Sequence, residues 1–321
     1  MTPVVVVHAD AARLVEALRT RVEGVDFVAV DRLEAIEPAL DTHRPEVVFA
    51  IKSSRFIGPE FHALVRHKSV RWLHVGGSGV EHLGAWDDDR VQVTNSAGVL
   101  APYLAETWVG AVLALEGGLF EAKTQRAWSR RSFRTVRGQR LLLVGLGEVG
   151  GRIAPLASAL GMEVEAIRRH PDRGGAPKVF GPDALDDRLP HADIVSLHLR
   201  LDASTHHLFD RDRLARLSPG ALFVNTARGG LVDEAALVER LAEGHLRGAW
   251  LDVFESEPLP PRSPLWNLDH VLVTPHAADQ IEGWDLAFVD RFVEQLARWR
   301  ASRPLSHRVI YSTQTFSPLN I

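Results

Sequence analysis

One stretch of this 321-residue chain restricts its fold more than any other: Leu141–Val144 followed at once by Gly145-Leu146-Gly147-Glu148-Val149-Gly150. Four consecutive apolar residues suit a strand buried on both faces, as in a parallel sheet. Helix-compatible sequence then runs to Gly161. In a strand–turn–helix unit of this kind the first glycine makes the tight turn. The second lets a pyrophosphate approach the backbone, and the third lets helix and strand pack closely. The helix N-terminus adds N–H groups and a partial positive charge. The stretch therefore reads as a dinucleotide site built from Gly145, Gly147, Glu148, Val149 and Gly150. A second apolar run, Val164–Ile167, ends in Arg168-Arg169, where an acid would hold the ribose 2′-hydroxyl of NAD. Arginines there suit the 2′-phosphate of NADP, so NADP(H) is favoured and NAD(H) stays possible.

The bulk numbers set the class. A chain of this length carries two domains of ordinary size, and 45% hydrophobic with 24% charged residues is a globular composition. A net charge of −4 leaves no basic footprint for nucleic acid. The chain has no cysteine, which excludes disulfides, thiolate metal sites and a cysteine nucleophile. No histidine–carboxylate spacing reads as a metal site. The opening MTPVVVVHAD lacks the basic region of a signal peptide, and no run approaches a membrane span, so a cytoplasmic enzyme without a membrane partner is expected.

Strand and helix patterns alternate along the chain, which predicts an α/β protein with parallel sheets. A first series has strands at Val4–Val7, Asp26–Val30, Glu46–Ile51, Trp72–Val75 and Val91–Thr94. It ends before the glycine fingerprint begins. A long helix from Pro102 leads to a second series, with strands at Leu141–Val144, Val164–Ile167, Ile194–Leu197, Leu222–Asn225, Gly248–Leu251 and Val271–Thr274. A last helix, Ile281–Arg300, carries Phe288, Phe292, Leu296 and Trp299 at helical spacing, a stripe for core packing. The tail beyond Pro304 is expected to return to the first domain, with Thr313–Ile321 disordered. Pro155 falls inside the helix after the glycines and predicts a kink.

Three segments of the second series carry the groups that reduction of a 2-oxo acid requires. They are Asn225-Thr226-Ala227-Arg228-Gly229-Gly230, Asp252-Val253-Phe254-Glu255-Ser256-Glu257-Pro258 and Thr274-Pro275-His276. Each lies just beyond the C-terminal end of a strand, where open α/β sheets bind ligands. Hydride arriving at a carbonyl carbon places negative charge on the oxygen. A histidine can protonate that oxygen at working pH, and a carboxylate on its other ring nitrogen fixes the tautomer. An arginine can grip the substrate carboxylate with two donors.

With GLGEVG, NTARGGLVDEAAL and LDVFESEPLP…VTPHAA in this order, the chain from about Val47 to Arg300 resembles the D-isomer-specific 2-hydroxyacid dehydrogenase family. The resemblance implies Arg228 as the substrate-binding arginine, Glu257 as the carboxylate partner and His276 as the acid–base. It adds Arg168, Arg169, His198, Thr226, Ala227 and Asp252 to the cofactor contacts. Lys52, Ser78 and Gly79 join Arg228 and His276 as substrate contacts, the loop Val75–Val80 gripping the carboxylate through backbone N–H groups. It further implies two Rossmann-like, doubly wound domains with a cleft between them. The substrate domain is expected at 1–100 with 276–321, and the cofactor domain at 101–275, through which a homodimer forms. Arg200 stands where the family usually has proline and adds charge beside Arg168 and Arg169.

The expected activity is NADPH-dependent reduction of a small 2-oxo acid, of the glyoxylate or hydroxypyruvate type, to a D-2-hydroxy acid. Two alternatives stand beside it. One is an NAD-dependent member acting on a bulkier acid or on 3-phosphoglycerate. The other is a nucleotide-sensing binding protein or corepressor on the same fold.

Overall fold

The computed structural model describes residues 3–53, 56–130 and 132–311. They fold into two compact units, one from the described residues up to 100 with those from 281 onward and the other from those between 101 and 280. The second boundary lies five residues beyond the expected 275/276, so His276 belongs to the second unit, whose last strand it follows. The segment Thr313–Ile321 lies outside the described residues.

The first unit holds β1 (Val4–Val7), β2 (Phe27–Val30), β3 (Val47–Ile51), β4 (Trp72–Gly76) and β5 (Gln92–Asn95) in the spatial order β2-β1-β3-β4-β5, all parallel. β1 is four valines and β3 is Val-Val-Phe-Ala-Ile, every residue of both buried. β-branched side chains on both faces suit a strand covered by helices on each side. The helix Ala287–Arg300 covers one face. Its Phe292 stacks on Phe49 at 4.5 Å and on Trp72 at 5.5 Å, and Trp299 also stacks on Trp72. The apolar stripe thus packs as predicted, although the helix starts six residues later than Ile281, after a turn in which Gly283 takes φ +70°.

The second unit is a seven-stranded sheet, all parallel. It comprises β6 (Arg140–Val144), β7 (Glu163–Ile167), β8 (Lys178–Phe180), β9 (Ile194–Leu197), β10 (Leu222–Asn225), β11 (Gly248–Leu251) and β12 (Val271–Val273). The spatial order is β8-β7-β6-β9-β10-β11-β12. Strand period two divides its apolar residues between two cores. Leu141, Leu143, Val224 and Trp250 face the one that includes Trp108 and Ile153; Leu142, Val144, Phe223 and Leu251 face the other. β6 pairs with β7 on one side and β9 on the other, so the strand order reverses there, at the turn that carries the glycines.

Two strands have no counterpart in the sequence reading. β8 is a three-residue edge strand after a Gly-Gly-Ala-Pro run, too short for a periodic signal; β7 and the cross-strand pair Glu165–Lys178 (3.3 Å) hold it. β13 (Arg308–Val309) pairs antiparallel with β5, which returns the tail to the first unit as expected. The helix Gly150–Ala159 runs unbroken through Pro155.

Candidate active site

The turn after β6 shows why its three glycines differ. Gly145 takes φ +107°, and a Cβ there would overlap the carbonyl of His198. A Cβ on Gly150 would overlap the carbonyl of Gly145. Packing inside the protein therefore demands both outer glycines. A Cβ on Gly147 would meet no atom within 4 Å. It would project instead into an open depression of about 370 Å³ lined by Leu146, Gly147, Glu148, Gly151, Arg152 and Arg168. The helix Gly150–Ala159 begins at this depression with no acid in its first turn. The residues fit a dinucleotide phosphate: a bare backbone, a helix N-terminus and two guanidinium groups. Arg152 was not singled out from sequence; its signal was a cation in the first turn after the third glycine. Arg168 is half-buried, lines the depression and donates to the Gly174 carbonyl at 2.8 Å. Arg169 is exposed. Asp202, which burial would raise, is held below the ordinary carboxylate range by hydrogen bonds from Ser204 and by the charge of Arg169.

His198 follows β9 and packs against the glycine turn. Trp108 Nε1 donates to Ser196 Oγ at 2.9 Å, and Ser196 Oγ lies 2.9 Å from His198 Nε2. Burial lowers the His198 imidazole to about 3, so the ring is neutral. Its Nδ1 and the hydroxyl of Thr226 are buried without a partner among the described residues. Both stand at the C-terminal ends of neighbouring strands, β9 and β10, where a bound ligand would supply the missing hydrogen bonds.

The turn after β10 is built by its last residue. Asn225 Oδ1 accepts from the Ala227 N–H at 3.1 Å, and its Nδ2 donates to the Arg228 carbonyl at 2.9 Å. Gly229 lies so close to the Phe254 backbone that any Cβ would overlap it. The remainder of the motif is a helix start, with Asp233 capping Glu234–Ala242 through the Ala236 N–H at 2.9 Å. Arg228 and the Thr226 hydroxyl are thus the motif's side chains with polar groups not used in building the turn. Arg228 Nη1 donates to the Ala227 carbonyl at 2.7 Å.

The third element joins two turns. His276 Nδ1 lies 2.8 Å from Glu257 Oε2, and Glu257 Oε1 accepts from the Phe254 N–H at 3.0 Å. None of the described residues hydrogen-bonds His276 Nε2. Burial would push the Glu257 carboxyl up. The hydrogen bond and charge of His276, the Phe254 N–H and the charge of Arg228 together hold it below the ordinary range. The three residues are therefore electrostatically coupled within one unit. His276 takes φ +51°, a left-handed conformation unusual for histidine. Asp252 holds it there. Its carbonyl accepts the His276 N–H (2.8 Å), Oδ1 accepts from Thr274 Oγ1 (2.6 Å) and Ala277 N–H (2.9 Å), and Oδ2 accepts from Ala278 N–H (3.1 Å). Asp252, expected as a cofactor contact, thus has both oxygens engaged in fixing the histidine turn. Asp279, which sequence reading passed over, lies within electrostatic reach of His276, and burial raises it.

In the first unit Lys52 follows β3, and Ser78 and Gly79 follow β4. Gly77 takes φ +92°, and Asn95, the last residue of β5, donates to the Ser78 carbonyl at 2.8 Å. A strand-final asparagine therefore ties down a neighbouring loop in both units. Among the described residues no cluster of histidines and carboxylates could hold a metal ion, and no helix is long and apolar enough to cross a membrane.

Comparison with known proteins follows the same lines. Residues 114–278 match the family model described as D-isomer specific 2-hydroxyacid dehydrogenase, NAD binding domain. The chain is similar to a glyoxylate reductase of Thermofilum pendens, 38% identical over 201 residues; the match spans 59% of this chain and only 59% of the length of that relative. A crystal structure of a D-isomer specific 2-hydroxyacid dehydrogenase family protein from Aeromonas salmonicida superposes with a TM-score of 0.85 at 28% identity, covering 97% of this chain and 99% of that one. An NADPH-dependent glyoxylate/hydroxypyruvate reductase from Sinorhizobium meliloti, solved with NADP and sulfate, gives 0.81 at 26% identity over 96% and 98% of the two chains.

Proposed function

The chain belongs to the D-isomer-specific 2-hydroxyacid dehydrogenase family, and from that premise we propose that it reduces a small 2-oxo acid, of the glyoxylate or hydroxypyruvate type, with NADPH. The observation that carries the proposal is the 2.8 Å pair of His276 Nδ1 and Glu257 Oε2, which leaves Nε2 of the ring for chemistry. Bound reduced nicotinamide supplies the hydride. His276 Nε2 donates the proton to the carbonyl oxygen as charge develops there. Glu257 keeps the Nδ1 proton in place and stabilises the imidazolium that precedes the transfer. Arg228 grips the substrate carboxylate and polarises the carbonyl. A chiral product would be the D-2-hydroxy acid.

The choice of NADPH rests on the end of β7. Arg168 lines the depression that Gly147 opens, Arg169 follows it, and no carboxylate occupies either position. The similarity to an NADPH-dependent reductase points the same way. We assign the exposed Leu119, Trp128 and Phe133 of the second unit to contact with a second copy of the chain. That assignment predicts a dimer in sedimentation.

Glyoxylate and hydroxypyruvate, each assayed with NADPH and NADH, test the activity directly. His276→Ala should lower kcat by about 10²-fold or more, with the NADPH dissociation constant unchanged. Near-normal turnover by that variant would overturn the assignment.

A further inference from the structure

We propose that His207 and Glu255 form a clamp that keeps the Arg228 turn and the Glu257 loop in register. They are positioning residues for the site, and the inference rests on the reading of Arg228, Glu257 and His276 as that site. His207 is attached to the Arg228 turn through its backbone. It takes φ +46°, and its N–H donates to the Gly230 carbonyl at 2.8 Å, while the Phe209 N–H donates to the Leu231 carbonyl at 2.9 Å. The residues 207–209 therefore run alongside the segment that presents Arg228. His206 stacks on His207 at 4.1 Å and packs against Gly230.

The side chain reaches the other way. His207 Nε2 lies 2.7 Å from Glu255 Oε1, and since a carboxylate only accepts, the histidine donates. Glu255 sits between Phe254, whose N–H binds Glu257, and Glu257 itself. Its own N–H donates to Glu234 Oε2 at 3.1 Å, and the Glu234 N–H reaches Glu255 Oε1 at 3.4 Å. The clamp thus spans three parts of the unit: the turn after β10, the loop after β11 and the start of the helix Glu234–Ala242.

The crowding of carboxylates explains why a donor is needed at this position. Glu234, Glu255 and Glu257 stand close together. Burial raises Glu234, the Glu255 N–H opposes that, and the charges of Glu255 and Glu257 raise it further. His207 is the donor that balances this crowded set from the Arg228 side. Without its ring, Glu255 keeps only the long 3.4 Å hydrogen bond from the Glu234 N–H beside two other carboxylates, and the loop that aims Glu257 at His276 is released. Reacting groups misplaced by about 1 Å cost up to about 10²-fold in rate, so a small movement suffices.

Three measurements on full-length protein test the clamp. His207→Ala should lower kcat/KM for glyoxylate with NADPH about tenfold or more, with both kcat and KM affected and the NADPH dissociation constant unchanged. His207→Gln, whose amide can donate from the position of Nε2, should restore the rate to within about threefold of wild type. By NMR, the Nδ1–H proton of His276 held by Glu257 should give a downfield signal in wild type and His207→Gln that is lost or broadened in His207→Ala. The pair is about 39% exposed on both sides, so Tm should fall by no more than about 3 °C. A His207→Ala enzyme with wild-type kinetics and an unchanged His276 signal would overturn the clamp. Absence of turnover by the wild-type protein would instead refute the proposed activity, and the NMR comparison would still decide the clamp.

Discussion

Gly147→Ala separates what the fold needs from what a ligand needs. A Cβ at this position meets no atom within 4 Å, and its φ lies outside the left-handed region. The folded state therefore accepts alanine without strain, while the unfolded chain loses freedom, a gain of about 0.4–1 kcal/mol. In a unit of this size that corresponds to a rise in Tm of about 1–4 °C. The cofactor should respond in the opposite direction. The added methyl occupies the space a pyrophosphate must enter, and overpacking costs about 1–3 kcal/mol, or roughly 5- to 150-fold in affinity. Gly145→Ala is the contrast, because its φ of +107° and the His198 carbonyl leave no room, and its Tm should fall. Differential scanning fluorimetry and NADPH fluorescence titration on the three proteins are sufficient. If Gly147→Ala binds NADPH within about twofold of wild type, the depression is not the phosphate seat. If its Tm drops as far as that of Gly145→Ala, the space around Gly147 is not open.

Two further outcomes are expected. Replacing Arg168 and Arg169 together by Gln should raise the KM for NADPH at least tenfold while that for NADH changes less than about threefold, since only the 2′-phosphate loses its cations; equal losses for the two cofactors would count against the phosphate role. Acid should destabilise the protein through its buried imidazoles. Burial lowers His74, His82 and His198 to about 3 from 6.5, so below pH 6.5 the unfolded chain takes up protons that the folded one refuses, and stability falls as pH drops. At pH 5.5 each ring costs about 1.4 kcal/mol. Urea denaturation of His74→Gln at pH 7.5 and 5.5 should show a difference in stability smaller than that of wild type by about that amount, and an identical difference would refute the burial argument.

The residues legible in advance were those whose signal is local. Val4–Val7 and Leu141–Val144 declare buried strands because every side chain is apolar. The strand ends at Asn225, Leu251 and Val273 are candidate ligand positions because open α/β sheets bind ligands there. Arg228, Glu257 and His276 are singled out by the family resemblance; residue type alone does not choose Glu257 over Glu255, and it is Glu257 that lies 2.8 Å from His276. β8 and the helix Ile36–His43 went unread. The first is held by the edge of β7 rather than by its own pattern, and the second is an eight-residue helix with proline inside it.

The sequence alone determined the alternation of buried strands and helices, the glycine turn and the chemical groups available. Tertiary structure decided which partner each group meets. Asp252 accepts the His276 N–H from 24 positions away, Gly229 is required by the backbone of Phe254, and His207 meets Glu255 across 48 positions. Hydrogen bonding and steric exclusion act over a few ångströms in space, whatever the separation along the chain. A residue's type therefore states what it can do, and only the packing of the sheet brings the partner that makes it do so.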